Sequence, residues 1–218
     1  MRPLLIHTLL GMHLSTEAPA PTPSVPPERG TTAESRRCVA HVSDVPGMGD
    51  HDARLHARHL IVVRKAARTV QLFSRGAAVT GSGMGERACY RIGLGFTPEG
   101  PKAREGDGRT PEGWYTTSDK PWSTFYAAIA VHYPNAADAR AGAASGRISP
   151  RQSDAILAAE VAGRKPAQTT PLGGEILLHG GGSSTDWTLG CIALEDADID
   201  DLRTHLPPSM AVVVRILP

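Results

Sequence analysis

The sequence predicts a mainly-β domain with a short helical insertion, preceded by a disordered N-terminal tail. Three observations predict it. Short runs of β-branched and apolar residues recur between turn residues from His59 onward. Glycine (23) and proline (18) are abundant while aromatic residues make up only 5%, which suits many tight turns. One stretch, 136–162, is instead alanine-rich with scattered charge.

Residues 1 to about 50 read as a leader and a Pro-rich linker, and 55–218 as one domain. Arg2 followed by Leu4, Leu5, Ile6, Leu9 and Leu10 is similar to the charged and apolar parts of an export signal, although His7 and His13 interrupt it. The run APAPTPSVPP at 18–27 is expected to be extended and solvated. No run approaches the ~18–20 apolar residues that span a bilayer. Organised structure is expected from about His59.

Leu60-Ile61-Val62-Val63 and Thr69-Val70-Gln71-Leu72-Phe73, separated by a charged turn, predict a hairpin. Two further strands are expected at 77–80 and 88–94, on either side of a turn holding Gly81, Gly83 and Gly85. The polar segment 98–113 is too rich in Gly and Pro to continue a strand or helix, so it is a surface connection or a binding loop. A strand follows at 114–117. Ser149-Pro150 starts a capped helix over 151–161, because Pro is tolerated at the first helical position. Strand character returns at 175–178, a flexible turn follows at Gly180-Gly181-Gly182, and a short helix starts near Glu195. Residues 210–217, MAVVVRIL, read as a buried closing strand.

Bulk charge favours no partner class: the net charge is +1, which offers no footprint for nucleic acid. Three cysteines occur, so at least one thiol is unpaired. Cys38 and Cys89 are either a disulfide or two inert thiols. The cluster His51, His56 and His59 with Asp50 and Asp52 fits no zinc spacing, and no Gly-Lys-Ser/Thr follows the glycines at 81–85 to make a phosphate loop.

The residues with catalytic chemistry are His179, at the end of an apolar strand, and Cys191, which follows Gly190. A thiol is a good nucleophile only as thiolate, and a neighbouring imidazole can take its proton and later return one to a leaving amine. Glycine before the nucleophile lets the backbone turn sharply, so that its N–H and that of Cys191 can face an oxyanion. On residue types alone the plain alternatives are a small core cysteine and a hydrogen-bonded strand-end histidine.

Four ordered motifs between about His59 and Leu217 add to this. They are Gly100-Pro101-Lys102 with Gly106-Asp107-Gly108-Arg109-Thr110-Pro111-Glu112-Gly113; Tyr133-Pro134-Asn135 with Asp138; Gly174-Glu175-Ile176-Leu177-Leu178-His179-Gly180; and Thr188-Leu189-Gly190-Cys191. Together they resemble an L,D-transpeptidase catalytic domain of the YkuD family. The resemblance implies a YkuD-like β-sandwich or open barrel. It implies Cys191 as nucleophile, His179 as base, and the carbonyl of Gly180 as the group that orients the imidazole. It also implies peptidoglycan stem peptides as substrate, L,D cross-links as product, no metal or cofactor, and an exported protein of the periplasm or cell wall, peripheral to the envelope.

Arg109 and Lys102 in the Gly/Pro loop are candidates for binding substrate carboxylates. Trp187, Thr188 and Tyr133 are further candidates for the substrate pocket. The chain departs from the common pattern at Leu189 and Ala193, where many members have His before the Gly-Cys pair and Arg two residues after it. With Asp186-Trp187-Thr188 the turn resembles the subgroup of YafK. These departures bear on the acyl acceptor, so hydrolysis of the same bonds is the alternative to cross-linking. A non-catalytic wall-binding module is the third reading.

Overall fold

The computed structural model describes residues 38–48, 52–76 and 84–218. The export-like run at 2–10, the Pro-rich run at 18–27 and the expected strand at 77–80 lie outside them.

Eight strands form one sheet: β1 (His59–Arg64), β2 (Thr69–Arg75), β3 (Met84–Arg91), β4 (Gly113–Asp119), β5 (Ala128–Val131), β6 (Leu177–His179), β7 (Ile192–Ala193) and β8 (Val213–Leu217). Their order is β3-β2-β1-β8-β4-β5-β6-β7. Neighbours run antiparallel except β1 with β8 and β6 with β7. The β1–β2 hairpin forms as expected, with Val63 opposite Val70. β8 lies between β1 and β4, and its burial alternates: Val214 and Ile216 turn to the core, while Val213 and Arg215 on the other face are only half-buried.

β4 is the hinge of the architecture. Its first half, Gly113–Thr116, pairs with β8, and its second half, Thr117–Asp119, pairs with β5. The sheet therefore folds into two halves that face each other across one core. Ile61, Val70, Leu72 and Val214 come from one half, and Ile129, Val131, Leu178 and Ile192 from the other; all are at most 1% exposed. The mainly-β character is the one that composition and strand patterning predicted, and the sandwich is the one that the family resemblance implied.

The insertion contains two helices, α1 (Ala136–Ala144) and α2 (Pro150–Val161), and a third, α3 (Asp196–Thr204), follows β7. Both inserted helices begin with a capping box, Asn135 with Asp138 and Ser149 with Gln152. The Tyr133-Pro134-Asn135…Asp138 motif is thus a helix start. Asp138 accepts from the N–H of Asn135 (2.9 Å) and from the Tyr115 hydroxyl (3.0 Å). Burial pushes its carboxyl up to about 6. The unfolded chain holds that proton less tightly, so this group's contribution to stability is full below pH ~4 and is lost as pH rises to ~6, about 3 kcal/mol at most. Urea unfolding of wild type should weaken between pH 4 and 7 by up to this amount, and Asp138→Asn should flatten the change.

A second apolar layer covers the outer face of β1 and β2. Val45 and Met48, from a segment expected to be linker, pack with Leu60, Val62, Phe73 and Leu217. Valines at 39, 42 and 45 supply the apolar face of this segment, and Cys38 anchors it by a disulfide to Cys89 on β3. The sequence separation is 51 residues, for which loop closure accounts for about 4 kcal/mol. Cys38→Ser should lower unfolding stability by about 2–4 kcal/mol, and a reductant should do the same to wild type and nothing to the variant.

Candidate active site

His179 ends β6 and pairs with Ala193 of β7, while Leu178 pairs with Ile192. Side chains alternate along a strand. Cys191, two residues before Ala193, thus shares the sheet face of His179, and Leu178 and Ile192 turn to the core. On that face Cys191 packs against Ala128, Ala130 and Leu177, and Ala128 is the register partner of His179 on the other side. Small residues at 128 and 130 leave room there.

The imidazole of His179 is fully buried. Its Nδ1 lies 2.5 Å from the carbonyl oxygen of Gly180. A carbonyl only accepts, so Nδ1 carries the proton and Nε2 is the basic nitrogen. Nε2 is buried without a hydrogen-bond partner. Burial holds this histidine below its ordinary pKa, with the Gly180 bond opposing, so it is neutral near pH 7. Phe125 stacks on the ring at 4.3 Å between centroids, and Trp187 meets it edge-on at 5.7 Å.

The thiol of Cys191 donates to the carbonyl of Glu175 at 3.4 Å. Burial raises its pKa, while a backbone bond from Leu177 and the charge of Lys102 pull it down. The resting pair is therefore neutral thiol and neutral imidazole. Both residues open into one cavity of about 540 Å³, walled also by Lys102, Phe125, Trp187 and Thr188. A larger cavity of about 660 Å³, lined by His59, His132 and His205, lies elsewhere. His132 is bonded there to the Thr116 and Ser118 hydroxyls, and no cysteine lines the space.

The nucleophile turn is shaped by its neighbours. Gly190 has φ +132°, and a Cβ there would stand 2.6 Å from the carbonyl oxygen of Arg109, so only glycine fits. Its N–H donates to the Thr188 hydroxyl (3.1 Å), which itself donates to the carbonyl of Cys191 (2.8 Å). In this arrangement the Gly190 N–H is turned to Thr188. Asp186 holds the turn from outside: it accepts from the Arg68 guanidinium and from the N–H of Leu94 (2.9 Å).

These motifs and this geometry coincide with a family match. The YkuD L,D-transpeptidase catalytic domain matches residues 58–214. The chain belongs to the YkuD family.

Three solved structures resemble this YkuD domain. A point mutant of the helical cell shape determining protein Pgp2 from Campylobacter jejuni is 24% identical with a TM-score of 0.51, covering 73% of this chain and 47% of that one. Bd1075 from Bdellovibrio bacteriovorus is 22% identical with a TM-score of 0.46, covering 74% and 48%. An L,D-transpeptidase from Xylanimonas cellulosilytica is 11% identical with a TM-score of 0.38, covering 73% and 60%. The likeness to the first shows a shared fold. The chain spans about half the length of the first two. No curated protein matches it.

Within the YkuD domain the expected substrate residues divide. Lys102 lines the cavity, yet its ammonium is bound to Asp107 (2.9 Å) and to the carbonyl of Arg104, with the side chain only 3% exposed. Asp107 also accepts from the N–H groups of Ala103, Arg104 and Arg109, so this ion pair organises the Gly/Pro loop. The Arg109 side chain does not reach the cavity. Its guanidinium lies against Gly100, and its carbonyl is what abuts Gly190. Tyr133 does not reach it either: the ring is fully buried in the core and its hydroxyl donates to the carbonyl of Leu172 (3.2 Å). A large amphipathic side chain behind the sheet fills volume there rather than meeting substrate. Trp187 is a wall of the cavity, 40% exposed, with its indole N–H on the carbonyl of Gly182 (3.0 Å). Thr188 is buried and braces the turn. Sequence reasoning missed Phe125 and the carbonyl of Glu175. Three aromatics within five residues, Trp122, Phe125 and Tyr126, were the available signal for the first; a backbone carbonyl leaves none.

Proposed function

We propose that this YkuD domain is a cysteine acyltransferase that cuts and rejoins peptidoglycan stem peptides. The observation that carries it is the shared sheet face of His179 and Cys191, opening into one cavity with Nε2 of the histidine unpartnered. For attack, Cys191 turns from Glu175, and Nε2 of His179 takes the thiol proton as sulfur bonds the scissile carbonyl carbon. The N–H of Cys191 faces the oxyanion. Collapse of the tetrahedral species breaks the C–N bond, and His179 returns its proton to the departing amine, which leaves a Cys191 thioester. An acceptor amine, deprotonated by His179, then displaces the sulfur to form an L,D cross-link.

Lys102, Trp187 and Thr188 act on this reading as cavity wall and loop frame, and Lys102 adds positive potential beside the thiolate. Water as acceptor is the second reading; Leu189 and Ala193, in place of the histidine and arginine of many members, favour it. The disulfide and the export-like residues support a periplasmic or wall location. Among the described residues no helix is long and apolar enough to cross a membrane. Incubation with purified wall fragments and mass analysis of the products tests the proposal. Dimers mean transfer and shortened monomers mean hydrolysis. Neither product, with fragments of several stem lengths, would overturn it.

A further inference from the structure

Aromatic residues are scarce in this chain: three Phe, three Trp and four Tyr. Five of these ten are both large and exposed, namely Phe96 (52%), Trp122 (88%), Phe125 (40%), Tyr126 (49%) and Trp187 (40%). All five belong to segments that border the Cys191 cavity. Phe125 and Trp187 line it and touch the His179 ring. Tyr126 packs at Gly180, next to His179, and its hydroxyl is fixed by Asp200 (2.6 Å). Phe96 covers Gly108, and its N–H donates to the carbonyl of Thr188 (3.0 Å). Trp122 stands three residues before Phe125 on the connection from β4 to β5. An exposed apolar cluster of this kind is costly to leave in water and marks a binding surface.

The composition of the rim selects its occupant. An apolar protein helix or strand is met by mixed aliphatic and aromatic side chains, yet the one exposed aliphatic at this mouth is Leu189. Flat rings interspersed with carboxylates and amides instead suit pyranose sugars. The C–H faces of a sugar pack on a ring while its hydroxyls bond to polar side chains, and the carboxylates of Glu105 and Glu175 border the same opening. Gln168 braces the Glu175 backbone there, its amide being bonded to the Tyr133 and Pro166 carbonyls and the Glu175 N–H. We propose that the rim binds the glycan strand carrying the stem peptide, so that the substrate is recognised as a sugar-linked peptide rather than as a free one. This rests on the peptidoglycan reading above, and its test separates the two.

Two experiments on the full chain decide it. In the first, turnover is compared on a tetrapeptide stem with and without its N-acetylated disaccharide. Wild type should show a KM about tenfold lower for the disaccharide form, the size expected for burying one ring face. Trp122→Ala should remove that preference with kcat and the KM for the sugar-free stem unchanged. Equal KM values for the two substrates in wild type, or an equal rise on both in the variant, would overturn the proposal. In the second, wild type is titrated calorimetrically with N-acetylglucosamine oligomers, a measurement that needs no catalysis. Saturable binding that Trp122→Ala weakens about tenfold supports the proposal even if neither peptide is turned over. Absence of binding, or binding that the variant leaves unchanged, overturns it and leaves the rim to an apolar protein partner.

Discussion

Replacing Cys191 by alanine is expected to abolish covalent capture of a carbapenem and to lower turnover on wall fragments by about 10⁴-fold or more. The reason is that one sulfur does both jobs: it attacks the acyl carbon and it holds the acyl group. Alanine at 191 is smaller than cysteine and keeps the contact with the cluster of Ala128, Ala130 and Leu177, losing only the thiol bond to the Glu175 carbonyl, so the fold should survive. Intact mass measurement reads the adduct directly. An equal adduct on Cys191→Ala would overturn the assignment of the nucleophile. The thiol's environment adds a pH signature. Because burial raises its pKa, alkylation of Cys191 by iodoacetamide should keep accelerating above the pH at which an exposed thiol levels off. A rate that levels at or below that pH would mean the resting pair is already ionised.

The second large effect is expected at His179. Its removal as alanine should reduce kcat by about 10²- to 10⁴-fold, the usual worth of a positioned general base. Adduct formation should slow by a similar factor, and some should persist at high pH, where solvent base ionises Cys191 without help. That residual dependence distinguishes a lost base from a lost fold. His179→Ala also leaves the carbonyl of Gly180 without its N–H partner and opens space beside Phe125 and Trp187, so melting should be measured alongside. A variant that melts like wild type yet keeps its full rate near neutral pH would exclude His179 as the base.

Both expectations draw on residues that the linear sequence already singled out. Gly190, too, is legible in the sequence, and its φ and its contact with Arg109 give the physical reason. Other expectations needed correction, each for a tertiary reason. Arg109 has the right chemistry for a carboxylate, but backbone direction sends its guanidinium to Gly100. Tyr133 belongs to a family motif, yet that motif starts a helix and buries the ring. β5 and β7 escaped detection because they are four and two residues long, too short for periodicity to show. The strand expected at 175–178 runs instead from Leu177 to His179, since Glu175 has φ +51° and breaks the extended backbone.

Residue type and local order are enough to read short apolar strands, capped helices and a glycine-hinged turn, and the ordered motifs single out one cysteine and one histidine as candidates for acyl transfer. Tertiary structure alone decided what depends on residues distant in the chain. The β6–β7 register sets His179 and Cys191 on one face, the carbonyl of Gly180 fixes which imidazole nitrogen is basic, and Cys38 closes on Cys89 across 51 residues. Spacing along a chain carries the pattern of a strand, but which strand lies beside it is settled only when the sheet closes on its core.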